Sequence, residues 1–211
     1  MTVVFWDVDT QVDFMRSTGK LYVPGAEEII PVLGSLTRYA HEHGLRIIAS
    51  ADDHQAGHRE LSDRPNWRET FPEHCMHGTP GQRKIAETAL RNPLVIEPDP
   101  EDPERLAQRV LRHDGDLLFH KHWFDVFTNP NVLPVVDAIA PPPSEIVLYG
   151  VALDVCDKYA IEGLLRHRPG IRLTLVTDAV RAIDPATGTA LLEAWRRRGV
   201  RLAGSAEVMA A

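Results

Sequence analysis

The sequence predicts an α/β fold in which helices cover both faces of a parallel sheet. Short apolar segments with the composition of strands alternate with segments of helical periodicity, which favours parallel strands joined by helices. The apolar segments at residues 2–8 and 45–51 are continuous rather than alternating, as expected of strands buried on both faces. With 211 residues, 44% of them hydrophobic, the chain can bury a sizeable core, and we expect a single domain over residues 1–211.

The elements follow from local signals along the chain. Pro24 and Gly25 start the first helix and Gly44 ends it, while Asp184 and Pro185 cap and start the last one. Helices are also predicted at residues 103–113, 131–140 and 154–165, the second of them stopped by the prolines at 141–143. Strands are predicted at residues 2–8, 45–51, 94–96, 117–120, 145–149, 171–177 and 200–203.

One connection is much longer than the others. Residues 52–82 are rich in His, Pro and polar side chains. Connections in compact domains are usually only a few residues long, and longer ones are commonly functional or mobile. We therefore expect this segment to be one or the other.

Composition and charge exclude several classes of function. The net charge of −7 argues against a surface for nucleic acid or anionic membrane, since both need clustered positive charge. No apolar run reaches the length of a membrane span, and the first residues lack the pattern of a signal peptide. The two cysteines, Cys75 and Cys156, provide no disulfide framework, which fits a reducing compartment. These observations predict a cytoplasmic protein that acts on a small molecule.

Reactive side chains follow four of the predicted strands. In a parallel sheet, ligands bind beyond the carboxyl ends of the strands, so these side chains are candidates for one site. Cys156 lies near a helix N-terminus, where the helix dipole lowers the pKa of a thiol and favours a nucleophile; alternatively it is a small buried apolar residue. The candidates at the four strand ends are Asp7 and Asp9, then Asp52, Asp53 and His54, then Lys121, and finally Cys156.

Three sequence motifs together resemble those of the isochorismatase-like cysteine hydrolases, whose best-known members are nicotinamidases. They are Asp9-Thr-Gln-Val-Asp13-Phe14, Lys121 and Gly150-Val-Ala-x-x-x-Cys156, in that order along the chain. The resemblance implies a three-layer α/β/α, Rossmann-like fold with a six-stranded, mostly parallel sheet. It also implies a catalytic triad of Asp9, Lys121 and Cys156, and a homo-oligomeric assembly.

The mechanism implied by the resemblance is covalent. Asp9 would accept the thiol proton of Cys156 and return it to the leaving ammonia, while Lys121 balances the negative charges. The backbone N–H groups of Ala152 and Cys156 would stabilise the tetrahedral oxyanion before a thioester forms and is hydrolysed. Family members carry a cis peptide bond before this turn, which corresponds here to Val151-Ala152.

A second group of residues has the composition of a metal site. Asp52-x-His54 and the segment Phe71-Pro-Glu-His74-Cys75 supply an Asp and two His, which suit Zn²⁺ or another divalent transition metal with open positions for water and substrate. Metal-binding nicotinamidases are similar to this chain at these positions. The resemblance therefore implies Asp52, His54 and His74 as ligands of Zn²⁺, with Mn and Fe as alternatives. The other histidines of this region are expected to be loop, packing or pocket residues: His58, His77, His120 and His122.

Aromatic side chains near these motifs suggest how a flat ring would bind. Phe14, Phe71, Trp123 and Phe124 are the expected substrate-binding residues, although an aromatic beside an apolar strand also serves as core. The chain departs from nicotinamidases in carrying Asp53 between the metal-ligand positions, where they usually have an aromatic residue such as Trp. Other departures are Phe71 in place of Trp and Leu153 in place of Thr.

The leading hypothesis is a metal-dependent amidohydrolase that releases ammonia from a small planar carboxamide. The alternatives are an N-carbamoyl or ureido amidohydrolase, an isochorismatase-type vinyl-ether hydrolase, and a non-catalytic binding protein on the same fold. Vinyl-ether hydrolysis needs no nucleophile, so Cys156 and the metal-ligand set argue against it. The intact set of Asp9, Lys121 and Cys156 argues against the binding protein.

Overall fold

The computed structural model describes residues 2–210, in which seven strands form one parallel sheet. Their order across the sheet is β3-β4-β2-β1-β5-β6-β7, and every pair of neighbours is parallel. The strands are β1 (Val3–Val8), β2 (Ile47–Asp52), β3 (Leu94–Ile96), β4 (Leu117–Lys121), β5 (Glu145–Val151), β6 (Arg172–Arg181) and β7 (Arg201–Ala203).

The sheet has seven strands, so the six implied by the family resemblance are one too few. The two outermost strands, β3 and β7, have three residues each and pair only with β4 and β6. An edge strand needs a partner on one side alone, so a short apolar segment can extend a sheet without disturbing its centre. Both edges coincide with segments that the sequence pattern had marked as short strands.

The described residues also form seven α-helices. They are α1 (Val12–Met15), α2 (Ala26–Glu42), α3 (Pro103–Arg112), α4 (Val132–Ala138), α5 (Cys156–His167), α6 (Pro185–Arg197) and α7 (Ser205–Met209). The predicted cap of the last long helix is present, since the Asp184 side chain accepts the N–H groups of Ala186 and Thr187. The short helices α1 and α7 were not predicted. Across residues 2–210, no helix combines the length and apolar character needed to cross a bilayer.

Side chains alternate between the two faces of the central strand β1 and join two separate cores. Trp6 packs with residues of α3, α4, α5 and α6, whereas the neighbouring Phe5 packs with α2 and α7. Strands β1, β2 and β5 are buried along almost their whole length, as their continuous apolar composition predicted. The architecture is therefore the predicted three-layer α/β/α.

The strand order brings the carboxyl ends of β4, β2, β1 and β5 side by side. Asp52 pairs with Lys121 in the register of β2 and β4, and Val8 pairs with Gly150 in that of β1 and β5. Gly150 has a φ of +135°, and a Cβ there would lie 2.0 Å from the carbonyl oxygen of Val8. Only glycine permits this close approach, which brings the end of β5 against β1.

Helix α5 buries a carboxyl group directly after its first residue. Asp157 is fully buried, and within the described residues neither of its oxygens has a hydrogen-bond partner. Burial, together with the charges of Asp9, Asp7 and Asp154, raises the pKa of Asp157 well above its ordinary value. The folded protein therefore favours the protonated form of this group.

We predict that Asp157→Asn stabilises the protein at neutral pH. A raised folded-state pKa means that the cost of Asp157 is absent below the unfolded-state value of 3.8 and grows as the pH rises towards the folded-state value. The gain from the neutral amide should be about 1 to 3 kcal/mol at pH 7 to 8 and should vanish near pH 4. Urea denaturation at several pH values measures it.

The matched control for this substitution is Asp154→Asn. The Asp154 carboxylate accepts the N–H groups of Ile183 and Asp184, both at 2.8 Å, so its replacement should bring no gain. A gain from Asp157→Asn that stayed constant between pH 4 and pH 8 would contradict the electrostatic explanation.

Candidate active site

The ammonium group of Lys121 lies at the centre of the site and contacts three predicted residues. Its Nζ lies 2.9 Å from Asp9 Oδ2, forms an ion pair with Asp52 Oδ1 and lies 3.7 Å from Cys156 Sγ. All four side chains are buried. The structure thus brings together the three residues that the resemblance named as a triad, and connects them to one of the residues that it named as a metal ligand.

Backbone geometry and one hydroxyl group fix the position of Asp9. Asp9 follows β1 directly and has a φ of +48°, a conformation that few residues other than glycine adopt. Its N–H donates to the carbonyl oxygen of Ser50, and the Ser50 hydroxyl donates to Asp9 Oδ1 at 2.6 Å. The second oxygen, Oδ2, is the one that faces Lys121.

The charges around Lys121 determine its protonation and that of its neighbours. Burial opposes the charged amine, but the carboxylates of Asp52 and Asp9 raise the pKa of Lys121 well above its ordinary value. Burial likewise acts to raise the pKa of Asp52, and the charge of Lys121 outweighs it and holds that pKa below its ordinary value. Lys121 is therefore a permanent cation, and Asp52 is an anion.

The thiol of Cys156 differs from the expectation based on its helix N-terminus. Burial raises the pKa of Cys156 well above its ordinary value, and Asp9 and Asp52 add to this effect while Lys121 opposes it. The expected lowering of this pKa is therefore wrong. Cys156 is a neutral thiol in the resting protein, and it needs an acceptor for its proton before it can act as a nucleophile.

Four ligand-type side chains converge beside Asp52 and form what we call the inner cluster: Asp52, His54, Glu60 and His74. His74 Nε2 lies 3.6 Å from Asp52 Oδ2 and 3.5 Å from Glu60 Oε1, and His54 Nε2 lies 3.9 Å from Asp52 Oδ2. These separations are close to the ligand-to-ligand distance of about 3.3 Å that follows from metal–ligand bonds of about 2.0 Å in a tetrahedron.

The inner cluster leaves buried polar atoms without partners. Asp52 Oδ2, His54 Nε2, Glu60 Oε2 and His74 Nε2 have no hydrogen-bond partner among the described residues. Buried polar atoms are normally satisfied, so four such atoms in one place indicate a missing ligand. The donor set of two imidazoles and two carboxylates fits a divalent transition metal.

The two histidines of the inner cluster have opposite pKa shifts. Burial lowers the pKa of His54 to about 4, so its imidazole is neutral at physiological pH. Burial opposes protonation of His74 too, but the nearby carboxylates of Asp52 and Glu60 outweigh it and raise the pKa of His74 to about 9. His74 Nδ1 donates to the carbonyl oxygen of Pro72 at 2.7 Å, which directs Nε2 into the cluster.

Two residues of the first motif hold the segments that carry the cluster. The Gln11 side chain accepts the N–H of Asp52 at 2.8 Å and donates to the Asp52 carbonyl oxygen at 2.7 Å. Asp13 Oδ2 accepts the N–H of Cys75, the residue after His74, at 2.7 Å. The motif around Asp9 therefore positions the metal-ligand candidates as well as the acid.

A small cavity gives access to Cys156. Phe14, Leu21, Val23 and Phe71 form an apolar wall. Cys156 and three members of the inner cluster, Asp52, Glu60 and His74, lie along the rest of the lining. The cavity measures about 30 Å³. An open cleft at the amino ends of β1 and β2 is much larger, at about 710 Å³. The larger cleft contains none of the predicted site residues, so cavity size does not locate the chemistry here.

The four expected substrate-binding aromatics divide into two pairs. Phe14 and Phe71 line the cavity, whereas Trp123 and Phe124 are absent from its lining. The Trp123 ring lies under the guanidinium group of Arg59, 3.9 Å from the ring centroid, beside a separate surface groove. Phe124 is buried in the core against Trp123 and Tyr159.

The turn before Cys156 has the backbone geometry implied by the resemblance. The Val151-Ala152 peptide bond is cis. The N–H of Leu153 donates to the carbonyl oxygen of Arg181, and the N–H of Val155 donates to that of Ala152. The N–H groups of Ala152 and Cys156 have no backbone acceptor within residues 2–210. These two N–H groups are the ones named as candidates for an oxyanion site.

Sequence reasoning missed Glu60, Gln11 and the apolar residues Leu21 and Val23. Glu60 lies in the long segment after β2, and no periodic pattern relates it to Asp52 or His54. Its type was the only available signal, since a carboxylate close in sequence to two ligand candidates is a candidate itself. Gln11 stood within the quoted motif, but nothing in the sequence assigns it to the Asp52 backbone.

Several solved structures are similar to this chain. The pyrazinamidase of Pyrococcus horikoshii in complex with zinc is 24% identical, with a TM-score of 0.72 over 97% of this chain and 99% of that one. The nicotinamidase/pyrazinamidase of Bacillus subtilis is 18% identical, with a TM-score of 0.73 over 96% and 100%. The N-carbamoylsarcosine amidase of Thermoplasma acidophilum is 22% identical, with a TM-score of 0.66 over 97% of both chains.

At these identities the likeness establishes the fold and leaves the substrate open. Among curated proteins, a sequence search finds no match. The family model of the isochorismatase domain matches residues 3–207, which is nearly the whole chain. The chain therefore belongs to the isochorismatase family of hydrolases.

Proposed function

We propose that this protein is a metal-dependent cysteine amidohydrolase of the nicotinamidase type, which releases ammonia from a small planar carboxamide. The observation that carries the proposal is the position of Lys121 Nζ, in contact with Asp9, Asp52 and Cys156 at once. This arrangement supplies an acid–base group and a nucleophile beside the inner cluster. A binding protein would not need these three reactive groups in one buried place.

The chemistry begins with proton transfer from Cys156 to Asp9. The thiol is neutral at rest, so Asp9 accepts its proton as the sulfur attacks the amide carbonyl carbon. Lys121 remains a cation throughout and offsets the negative charge that moves from the carboxylate to the sulfur. The N–H groups of Ala152 and Cys156 donate to the oxyanion, each contributing about 3 kcal/mol.

The tetrahedral intermediate then expels ammonia. Asp9 returns the proton to the leaving nitrogen, the C–N bond breaks, and the acyl group remains on the Cys156 sulfur as a thioester. Asp9 next accepts a proton from the water that attacks the thioester. The C–S bond then breaks and Asp9 returns this proton to the Cys156 sulfur, so one amide and one water yield one carboxylic acid and one ammonia.

The inner cluster would hold the metal ion through Asp52, His54, Glu60 and His74. A divalent ion bound there supplies positive charge at the end of the cavity, where it orients a polar group of the substrate. The Asp52 carboxylate contacts Lys121 through one oxygen and leaves the other facing the cluster. Zn²⁺ is our first choice, since the similar pyrazinamidase structure contains zinc.

The composition of the cavity lining favours a flat apolar substrate, and the cavity of about 30 Å³ must widen to admit one. Its wall includes the rings of Phe14 and Phe71, and the Phe14 ring centroid lies 5.4 Å from that of His74. Apolar and aromatic walls with a few polar groups at one end suit a planar aromatic amide. Similar structures carry the names pyrazinamidase and nicotinamidase, which are amidases of such rings.

The second candidate is an N-carbamoyl or ureido amidohydrolase. It would use the same nucleophile and acid, and the similar structure of N-carbamoylsarcosine amidase favours it. The departures at Asp53 and Leu153 also allow a substrate other than nicotinamide. We extend the proposal to a homo-oligomer in the cytoplasm, a compartment that suits the two free, buried cysteines.

A substrate panel tests the reaction. We predict ammonia release from nicotinamide or pyrazinamide, with less or none from ureido acids, measured with a coupled ammonia assay. Cys156→Ala should reduce turnover at least about 10⁴-fold, because it removes the nucleophile. The matched control, Cys75→Ala, changes the other free cysteine and should retain turnover. Release from ureido acids alone would favour the second candidate, and full turnover by Cys156→Ala would exclude covalent catalysis.

Metal analysis tests the inner cluster. We predict that the purified protein contains a divalent transition metal and that His74→Ala loses one equivalent per chain, because it removes a buried ligand. Glu60→Gln should weaken binding, while Glu73→Gln, next to His74 but exposed, should not. Elemental analysis after dialysis gives the content. Equal metal content in His74→Ala and the unchanged protein would show that the cluster is not the site.

A further inference from the structure

A second group of ligand-type side chains lies on the opposite side of the strand ends from Asp52 and Lys121. Asp53, Glu97 and His120 form a group of possible metal ligands, and His77 contacts Asp53; we call these four residues the outer cluster. None of its residues lines the cavity that leads to Cys156. We propose that the outer cluster is a second binding site for a divalent transition-metal ion, separate from the inner cluster.

The sheet register gathers three of the four residues. Ala51 pairs with His120, and Ile96 pairs with Phe119, so Glu97 follows β3 beside His120. Asp53 comes two positions after Ala51 and so points to the same face as Ala51 and His120. The order β3-β4-β2 thus places a Glu, a His and an Asp side by side along one edge.

The long segment after β2 supplies the fourth residue. The N–H of His77 donates to the carbonyl oxygen of His54 at 2.7 Å, which holds His77 against the end of β2. His77 Nδ1 lies 2.8 Å from Asp53 Oδ1 and 3.1 Å from Asp53 Oδ2. The long segment therefore brings a second imidazole against Asp53, at the open side of the group formed by Asp53, Glu97 and His120.

The separations of the ligand atoms suit a metal ion. His120 Nδ1 lies 3.0 Å from Glu97 Oε2 and 3.6 Å from Asp53 Oδ2. Together with the contact of 2.8 Å between His77 and Asp53, these values lie on both sides of the distance of about 3.3 Å expected between ligands of a tetrahedral Zn²⁺ ion. Two imidazoles and two carboxylates form a donor set for a first-row transition metal rather than for Ca²⁺ or Mg²⁺.

The four side chains of the outer cluster differ in their exposure to solvent. Two are largely buried and two are exposed, as expected for an ion-binding site that is open to solvent. The Asp53 and His120 side chains are 6% and 12% exposed, whereas those of His77 and Glu97 are 64% and 54% exposed. The base of the site is therefore fixed by packing, and its rim is open for an ion to enter. The Asp53 N–H donates to the Lys121 carbonyl oxygen and fixes the base further.

An ion in the outer cluster would have a structural role. His77 comes three residues after His74, so the ion would tie the segment that carries an inner-cluster ligand to the ends of β2, β3 and β4. Binding free energy from such an ion adds to the stability of the folded state. The substitution that sets this chain apart from nicotinamidases, Asp53 between Asp52 and His54, supplies the central ligand of the outer cluster.

The test counts metal ions in the full-length protein. The apoprotein, prepared with a chelator, is dialysed against low micromolar free Zn²⁺, and bound metal is measured by mass spectrometry. We expect two ions per chain in the unchanged protein and one in the double variant His77→Ala/Glu97→Gln. The double variant should bind the second ion more than about 100-fold more weakly. Both positions are exposed, so the variant should fold.

The matched control is His43→Ala/Glu42→Gln, which removes one exposed His and one exposed Glu at the end of α2. It should bind as many ions as the unchanged protein. Zn²⁺ should also raise the melting temperature of His74→Ala, which lacks the inner site, and should not do so when the outer-cluster changes are added. Equal stoichiometry in the unchanged protein and the outer-cluster variant would overturn the proposal. The inner site is judged separately, by whether His74→Ala loses an ion.

Discussion

The buried ammonium group of Lys121 is the interaction on which the rest of the site depends. Two carboxylates, Asp9 and Asp52, lie within ion-pair distance of it, and all three groups are almost completely shielded from water. Two buried carboxylates so close together would repel each other strongly without a cation between them. Lys121 therefore makes it possible for the acid of the proposed reaction and a metal-ligand candidate to share one buried place.

This arrangement also explains why the Cys156 thiol is neutral at rest. Burial is the main cause of the raised pKa, and the negative charges of Asp9 and Asp52 oppose the stabilisation that Lys121 gives a thiolate at 3.7 Å. In the proposed mechanism, the proton of Cys156 therefore moves to Asp9 during the reaction rather than before it. In this proposal, Asp9 both contacts Lys121 and accepts the proton of Cys156, so Asp9 and Lys121 act as one functional unit.

The ends of β2 and β4 carry polar side chains on both faces of the sheet. Asp52 lines the cavity and Lys121 contacts it on the same face, whereas the adjacent Asp53 and His120 lie on the other face, because neighbouring side chains on a strand alternate. The same backbone therefore carries a reactive cluster on one face and, in our proposal, a structural metal site on the other. In our proposal, the segment of residues 53–79 is held at two points, through His74 in the inner cluster and through His77 in the outer cluster.

The sequence predicted much of the fold, because buried parallel strands have a distinctive continuous apolar pattern. It also predicted which strand ends carry Asp9, Asp52, Lys121 and Cys156, since a parallel sheet aligns its carboxyl ends. The contribution of Glu60 was not predictable, because it comes from an irregular segment whose path depends on bonds such as that between Asp13 and Cys75.

Other features depended on distances in space rather than in sequence. The pKa of Cys156 could not be inferred from its helix position alone, because burial and two nearby carboxylates outweigh the helix terminus. Trp123 was expected at the cavity from its place after Lys121, yet its ring packs under Arg59 outside the lining. The chain direction after a strand end is not encoded in the strand pattern.

The most direct test of this account is the free energy of unfolding of the metal-free protein with Lys121→Met, Asp9→Asn and both changes together. Lys121→Met alone should cost about 3 to 5 kcal/mol, because it leaves Asp9 and Asp52 buried without their cation. Adding Asp9→Asn should recover a substantial part of that loss, since it removes one of the two charges. If the two costs simply add, Lys121 and Asp9 are not coupled, and the account of the site is contradicted.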